Sequence, residues 1–170
     1  MKRTKPQQSL AVTSPAFEHG GMIPAKHTSA SQNASLPIAW EGTPAGTRSF
    51  MPVACDPDAP APFLPLLRWV HWVVYNIPPD VTALPEALPR TETLEGGARQ
   101  GVTSFGRPGY GGPSPLIGTH RYFFKVFALD SLFDLPPKQA TWKRLLKASE
   151  GHVLAEGELM GRYRRRYRRG

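Results

Sequence analysis

The chain has 170 residues, of which 40% are hydrophobic and 10% aromatic, which suits one folded domain and excludes an intrinsically disordered protein. The formal net charge is +8, but six arginines lie in residues 162–169, and without them it is +2, so the charge gives only weak support for a nucleic-acid-binding domain. Cys55 is the only cysteine, which excludes an intrachain disulfide. No apolar run has the length of a signal peptide or of a membrane span, so we expect the protein in the cytoplasm.

The first third of the chain predicts short strands separated by turns. Three of them are predicted from apolar segments, at residues 10–17, 22–26 and 36–40. The small polar residues of 27–35 predict a loop before the third strand. The segment 47–56 alternates weakly and predicts a fourth strand, in which Pro52 indicates a sheet edge or a bulge.

Two apolar segments, 68–77 and 121–130, predict central strands because they are rich in valine and aromatic residues. A two-residue period divides the first segment into two faces: Trp69, His71, Val73 and Tyr75 on one, and Val70, Trp72 and Val74 on the other. Residues 78–101 are punctuated by proline and glycine and predict a long excursion over the surface.

The last part of the chain predicts a short helix over 136–149 and a final strand over 152–163. One side of that strand is predicted to carry Val153, Ala155 and Leu159. About six to eight strands and one or two helices are expected in all, which predicts a mostly β fold: a β-sandwich or Greek-key sheet with one or two small peripheral helices. We expect a single domain over residues 1–161 and an arginine-rich tail over residues 162–170.

Two segments carry acidic or imidazole side chains next to apolar strands. In CDPDAP (55–60), Asp56 and Asp58 are two residues apart, so an extended backbone points both to the same side. Ordinary turn chemistry, in which an aspartate bonds its own backbone, explains this spacing equally well. His71 lies inside an apolar strand and must find a hydrogen-bond partner, so it is either a satisfied core residue or a functional one.

A third segment, GYGGPSPLIGTHRY (109–122), places a glycine- and proline-rich loop directly before His120. Such a backbone can turn several N–H groups toward one anion, although a tight loop without a ligand has the same composition. His120 and Tyr122 are predicted to share a strand face with Phe124 and Val126. If the three segments meet, we expect a site for a small anion of phosphate or carboxylate size, with a cationic amine placed against the aspartates.

These stretches resemble the phosphatidylethanolamine-binding protein (PEBP) family, in its bacterial branch of Raf-kinase-inhibitor-like proteins. The matching stretches run in the family order over nearly the whole chain: FEHGGMIP (17–24), CDPDAP (55–60), WVHWVVYNIP (69–78), GYGGPSPLIGTHRYFFKVFALD (109–130) and GHVLAEGELMGRY (151–163). The resemblance implies a β-sandwich with a few flanking helices and a shallow anion-binding pocket.

Matched position by position, the resemblance implies that the ligand-binding residues are Asp56, Asp58, Pro60, Trp69, His71, Gly112, His120 and Tyr122. It implies no catalytic residue, no metal and no cofactor. Arg121 points away from His120, and we expect it to form a structural ion pair with one of the aspartates rather than a ligand contact.

The resemblance implies a non-enzymatic ligand-binding or regulatory protein that takes phosphate, a phosphoethanolamine head group or a phosphorylated side chain. Its similarity to proteins that modulate kinases or proteases suggests such a partner, and bacterial relatives resemble homodimers. A phosphoester hydrolase that uses the Asp/His cluster, with or without a metal, is the alternative from another class, although paired metal-ligand spacing is absent. A third alternative is a tail whose arginines and tyrosines bind nucleic acid or another acidic surface; a solvated terminus is the favoured interpretation of that tail.

Overall fold

The computed structural model describes residues 8–167, except for the side chains of Leu66 and Leu67. The strands of this range are β1 (Gln8–Ser9), β2 (Ala11–Thr13), β3 (Ile38–Glu41), β4 (Ser49–Ala61), β5 (Leu64–Tyr75), β6 (Ala83–Leu84), β7 (Arg99–Gln100), β8 (Thr119–Leu129) and β9 (Val153–Arg164). Its helical elements are α1 (Trp142–Ala148) and 3-10 turns at Ala25–His27, Glu95–Gly97 and Pro137–Gln139. The prediction of a mostly β fold with a small helix is confirmed.

The strands form two sheets that pack face to face. Six strands form one sheet in the order β1-β9-β8-β4-β5-β7, and three form a second sheet in the order β2-β3-β6. Neighbouring strands are antiparallel except for the parallel pair β1 and β9. Buried side chains of both sheets, such as Trp40 of β3 and Phe124 of β8, belong to one apolar cluster. The cluster between the sheets makes the domain a β-sandwich.

The other face of the six-stranded sheet is covered at one end by α1. Leu145 of α1 and Phe127 of β8 belong to a second apolar cluster. The helix begins after Thr141, whose side-chain oxygen accepts a backbone N–H of the first turn. It is shorter than the predicted segment 136–149, because Pro137 starts a separate 3-10 turn. None of the helices in the described residues is long and apolar enough to cross a lipid bilayer.

The predicted faces of β5 are wrong, because a β-bulge at His71 reverses the alternation. Ala54 of β4 pairs with Trp72 of β5. The next residue, Cys55, pairs with Val70, which leaves His71 as an extra residue. The cluster between the sheets contains Trp72 and Val74, whereas the cluster under α1 contains Val70, Val73 and Tyr75. His71 and Trp72 are thus brought to the same side of the sheet.

Pro52 lies in β4, in the middle of the six-stranded sheet, so it is not at an edge. The pairing of β4 with β5 is irregular beside it. Phe50 pairs with Ile77, and Val53 pairs with Val73. Two residues lie between the paired positions on β4 but three lie between them on the partner segment, so one residue is extra. Of the two predicted settings for Pro52, the structure therefore shows the bulge and not the edge.

The N-terminal strands are shorter than predicted, and the C-terminal strand has the predicted length but is shifted by one residue. In the predicted strand 22–26, Met22 forms an isolated bridge with Arg162, and the residues after Pro24 form a 3-10 turn. β9 runs through Arg164, so the first residues of the arginine-rich segment pair with β8. The rest of that predicted tail, beyond residue 167, lies outside the described residues.

Candidate anion-binding site

Asp56 links the end of β4 to the start of β8. Its Oδ2 lies 2.6 Å from Nδ1 of His120, and its Oδ1 accepts the backbone N–H of Asp58 at 2.7 Å. Both Asp56 and His120 are buried. The two interpretations of the CDPDAP stretch therefore hold together, because one carboxylate both caps the turn and orients an imidazole.

His120 stands where the glycine- and proline-rich loop becomes β8. Its Nε2 lies 3.0 Å from the carbonyl oxygen of Ile117. A carboxylate and a carbonyl are both acceptors, so both ring nitrogens donate only when the ring carries two protons. Both of its nitrogens are engaged within the protein, so His120 positions the site rather than offering a free donor.

The bulge brings His71 against Tyr122, with ring centroids 5.3 Å apart. Nδ1 of His71 donates to the carbonyl oxygen of Gly111 at 2.6 Å. Burial lowers the pKa of His71 below its usual range, although the Gly111 carbonyl and the Asp56 carboxylate oppose the shift. The neutral ring therefore keeps its proton on Nδ1 and presents a lone pair at Nε2.

Tyr122 lies on the same face of β8 as His120, as predicted, and their rings stack at 6.3 Å. Burial raises the pKa of Tyr122, and the negative charge of Asp56 adds to the effect. The hydroxyl therefore keeps its proton and remains a hydrogen-bond donor at every physiological pH.

Two polar atoms at the centre of the site have no partner. Nε2 of His71 and the hydroxyl of Tyr122 make no hydrogen bond within residues 8–167, although the two residues are only 5% and 2% exposed. Among the described residues, the fully buried polar side-chain atoms without a hydrogen-bond partner are Nε2 of His27 and Nε1 of Trp40. The two site atoms therefore have hydrogen-bonding capacity that the described residues do not use.

The loop glycines build the site through contacts with the protein itself. The N–H of Gly111 donates to the carbonyl of His71 at 3.0 Å, and the N–H of Gly112 donates to Oδ1 of Asn33 at 2.7 Å. A Cβ on Gly112 would collide with the carbonyl oxygen of His27. These two amides therefore close the loop onto its neighbours, and they are not free to bind an anion as the sequence suggested.

An aromatic pair covers His71 from the solvent side. Phe105 packs edge-on against Trp69 at 5.5 Å and against His71 at 5.6 Å. Sequence reasoning missed Phe105 and also Asn33, which holds Gly112. A single phenylalanine in the glycine-rich stretch GVTSFGRPGYG is the signal that could have found Phe105, whereas nothing in the polar loop 27–35 distinguishes Asn33.

Asp58 pairs with Arg121, which confirms the expected ion pair. Nη2 and Nε of Arg121 donate to the two carboxylate oxygens at 2.9 and 3.0 Å, and its backbone N–H donates at 2.9 Å. The hydrogen bonds from Arg121 hold the pKa of Asp58 below its usual range, against the effect of burial. Asp58 thus braces the start of β8 and is not available to a ligand.

The structure brings most of the predicted residues to one place. Asp56, His71, His120 and Tyr122 are joined by the contacts above, and Gly112 follows Gly111, which bonds His71. Trp69 is attached through Phe105, and Asp58 through Asp56. Pro60 is exposed, and no contact among the described residues joins it to either histidine. Within residues 8–167, no group of three or more His, Cys, Asp or Glu side chains is arranged to hold a metal ion.

The structure is thus a β-sandwich with a small polar site on the neighbouring strands β4, β5 and β8 of its larger sheet. The model of the phosphatidylethanolamine-binding protein family matches residues 13–164, and the chain belongs to this family.

Relatives of the chain occur in both archaea and bacteria. A UPF0098 protein of Methanothermobacter thermautotrophicus is 45% identical over 150 residues, which cover 88% of this chain and 95% of the relative. A UPF0098 protein of Chlamydia muridarum is 37% identical over 155 residues, which cover 91% of this chain and 98% of the relative. Family membership therefore does not single out the bacterial branch.

Solved structures of the family share the fold. YbcL of E. coli superposes with a TM-score of 0.83 at 32% identity over 93% of this chain and 99% of its own. CT736 of Chlamydia trachomatis, a PEBP homologue, gives a TM-score of 0.83 at 33% identity over 94% of this chain and all of its own. A carboxypeptidase Y inhibitor, solved in complex with its proteinase, gives 0.53 at 18% identity over 92% of this chain and 83% of its own, which shows the fold alone.

Proposed function

We propose that the chain is a non-enzymatic ligand-binding protein whose site takes a small anion of phosphate size. The observation that carries the proposal is the pair of buried, unpartnered polar atoms, Nε2 of His71 and the hydroxyl of Tyr122. A single anion that contacts both would supply the hydrogen bonds that each lacks. Inorganic phosphate, a phosphoethanolamine head group and a phosphorylated side chain all present such oxygens.

The charges around the site favour an anion once His71 takes up a proton. Asp56 is hydrogen-bonded to His120, and Asp58 forms an ion pair with Arg121, so both carboxylates are engaged within the protein. Nε2 of the neutral His71 ring is an acceptor, and it donates to an anion oxygen only after protonation. Anion binding is therefore coupled to the uptake of one proton at His71.

The test is a titration of inorganic phosphate, phosphoethanolamine and ethanolamine, followed by NMR of the imidazole groups. We expect phosphate and phosphoethanolamine to move the His71 signals toward the imidazolium position, with smaller changes at His120. The proposal fails if saturating phosphate and phosphoethanolamine leave both histidines unchanged.

A matched pair of tyrosine variants supports the assignment. Tyr122→Phe removes the unpartnered hydroxyl, and we expect phosphate affinity to fall about tenfold. Tyr75→Phe removes a hydroxyl that bonds the Leu135 carbonyl on the other face of the sheet, and affinity should stay unchanged. Equal effects of the two variants on affinity would contradict the site.

The hydrolase alternative has one structural argument in its favour, the carboxylate-oriented imidazole of His120. Against it, both nitrogens of that ring are engaged within the protein, so it has no free position for proton transfer. An assay with p-nitrophenyl phosphate, with and without added divalent metal, separates the two proposals. Turnover that disappears in His120→Gln would favour the hydrolase.

We also propose that a protein partner reaches this site through a phosphorylated side chain, which would allow regulation of a kinase or a protease. The support is the ligand chemistry of the site, because the likeness to a carboxypeptidase inhibitor extends to the fold alone. Binding of a phosphoserine peptide that phosphate displaces would support this, whereas equal binding of the unphosphorylated peptide would contradict it. The cytoplasmic location and the homodimer stay predictions.

A further inference from the structure

Five of the eight large apolar side chains that the described residues expose are located near one end of the six-stranded sheet. This rim patch consists of Phe63, Leu64, Leu116, Ile117 and Tyr167. Phe63 is 76% exposed and Leu116 is 66% exposed. Water-exposed apolar groups concentrated in one place mark an interaction surface more often than single ones scattered over a protein.

Three chain segments form the patch, and contacts hold them together. The hairpin between β4 and β5 meets the loop before β8, since a Cβ on Gly118 would lie 3.3 Å from Cγ of Pro62. The hydroxyl of Tyr167 donates to the carbonyl of Leu116 at 2.9 Å. In the β8–β9 register, Arg164 pairs with Thr119. The end of β4, the starts of β5 and β8 and the end of β9 therefore meet at this patch.

The three segments that form the patch carry arginines but no acidic residue. They are residues 61–64, 115–119 and 164–167, and the arginines are Arg164, Arg165 and Arg166. The guanidinium of Arg165 lies over the Tyr167 ring at 5.4 Å, so charge and aromatic surface are adjacent. Two further arginines follow in the sequence, while the rest of the chain is nearly neutral.

We infer that the rim patch docks the protein on a lipid bilayer that contains anionic lipids. Phe63 and Leu116 project from loops, where they can enter the boundary between head groups and acyl chains, and the arginines bind lipid phosphates. A single-stranded nucleic acid matches the arginines and offers bases that stack on aromatic rings, but it gives Leu64, Leu116 and Ile117 nothing apolar to enter. The rim patch adjoins the candidate site, because the carbonyl oxygen of Ile117, a patch residue, contacts Nε2 of His120. The inference does not depend on the proposed ligand of that site.

The experiment is flotation of the full chain with vesicles of phosphatidylcholine alone or with about one-fifth phosphatidylglycerol. We expect binding to the anionic vesicles only, and weaker binding as salt is raised. Phe63→Ser combined with Leu116→Ser should lower the partition coefficient about tenfold or more. The control, Leu132→Ser, removes a 50% exposed leucine beyond the opposite end of β8 and should bind as the wild type does.

A second pair of variants tests the charge. Replacement of Arg164, Arg165 and Arg166 by glutamine should lower the partition coefficient about a hundredfold. Replacement of Lys143, Arg144 and Lys147 on α1 by glutamine removes the same charge from exposed positions elsewhere and should change it far less. Equal losses in the two triple variants would overturn the inference, because they would show dependence on net charge alone.

A labelled variant gives a positive readout that does not depend on lost binding. Phe63→Cys carrying an environment-sensitive fluorophore should shift to the blue on anionic vesicles, since the probe enters the apolar boundary, while Cys55 is buried. No shift, or no flotation of the wild type with anionic vesicles at low salt, overturns the inference. Binding of a single-stranded oligonucleotide that persists in the Phe63 and Leu116 variant, without vesicle binding by the wild type, assigns the patch to nucleic acid instead.

Discussion

At the residue scale, the proposed anion site would couple ligand binding to the protonation of His71. Burial removes the ring from water and favours its neutral form, while Gly111 fixes the proton on Nδ1. The Asp56 carboxylate, the His120 ring and the Tyr122 hydroxyl face it from β4 and β8. An anion at Nε2 adds a negative charge that reverses the preference of the ring.

We expect sulfate to bind more tightly as the pH falls from about 8 to about 5.5. Sulfate keeps both of its charges in this range, so the change reports on the protein. Each unit of pH should raise the affinity by up to about tenfold until the pKa of His71 in the free protein is reached. Isothermal titration calorimetry in buffers of different ionisation enthalpy measures both affinity and proton uptake. His71→Gln offers an amide donor without a proton change, so its affinity should be independent of pH.

The same residue is expected to weaken the fold as the solution becomes acidic. An unfolded His71 binds a proton near pH 6.5, whereas burial lowers the pKa of the folded one. Between these values the unfolded state holds more protons, so the free energy of unfolding falls as the pH falls through this window. Denaturant unfolding at a series of pH values measures it, and His71→Gln should flatten the curve there. The lowered pKa of Asp58 makes its own contribution only in more acidic solution, since its usual value is 3.8. A curve with the same slope in His71→Gln would contradict the prediction.

At the element scale, irregular strands and tight loops decide which side chains meet. The bulge at His71 turns this residue toward β8. A second irregularity, in the pairing of β8 with β9, turns a residue of β9 to the other face of the sheet. There, Ala128 pairs with Ala155 but Leu129 pairs with Val153, so Val153 packs in the cluster under α1 and not with Ala155 and Leu159 as predicted. The loop 109–118 closes only because Gly112 lies directly against the chain at His27.

We expect Gly112→Ala to destabilise the protein by about 2–3 kcal/mol. Its Cβ would collide with backbone atoms at His27 and Thr28, which are held by their own hydrogen bonds. Gly46→Ala is the control: Gly46 has a φ of 85° and open space around it, so the change costs only the backbone strain of about 1 kcal/mol. Denaturant midpoints of the two variants give the comparison. A smaller effect at Gly112 than at Gly46 would show that the loop shifts easily.

At the scale of the whole molecule, the two sheets are held by one apolar cluster that includes two buried tryptophans. Trp40 belongs to the three-stranded sheet and Trp72 to the six-stranded sheet, and each is 1% exposed. Nε1 of Trp72 donates to Oε1 of Gln100 at 2.8 Å, whereas Nε1 of Trp40 has no partner among the described residues. The two tryptophans are therefore equally buried, but burial of the unpaired Nε1 of Trp40 has the greater polar cost.

We expect Trp72→Phe to destabilise the protein by about 1–3 kcal/mol more than Trp40→Phe. Both changes remove the same volume from the same cluster. Only the first leaves a buried acceptor on Gln100 without a donor, while the second removes an unpaired donor. Thermal and denaturant unfolding of the pair measure the difference. Equal losses would mean that volume alone determines the cost at this interface.

Much of the architecture was predictable because it depends on local pattern. The apolar segments 68–77 and 121–130 predicted two central strands, and both are central. The ion pair of Arg121 with an aspartate was expected, whereas the contact of Asp56 with His120 was expected only in the general form of an acidic pair near the histidines. Pro60 and Gly112 were also expected to bind the ligand; Pro60 is exposed and the amide of Gly112 donates to Asn33, and their ligand contacts stay predictions.

By itself, the sequence determined that this is a mostly β protein and where its long strands lie, because strand preference and two-residue alternation are properties of neighbouring residues. Only the tertiary structure decided which face His71 occupies, which ring nitrogens are free and which loop amides are engaged. The physical reason is that a bulge is defined by the pairing of two strands, and a proton's position by burial and by acceptors that come from distant parts of the chain.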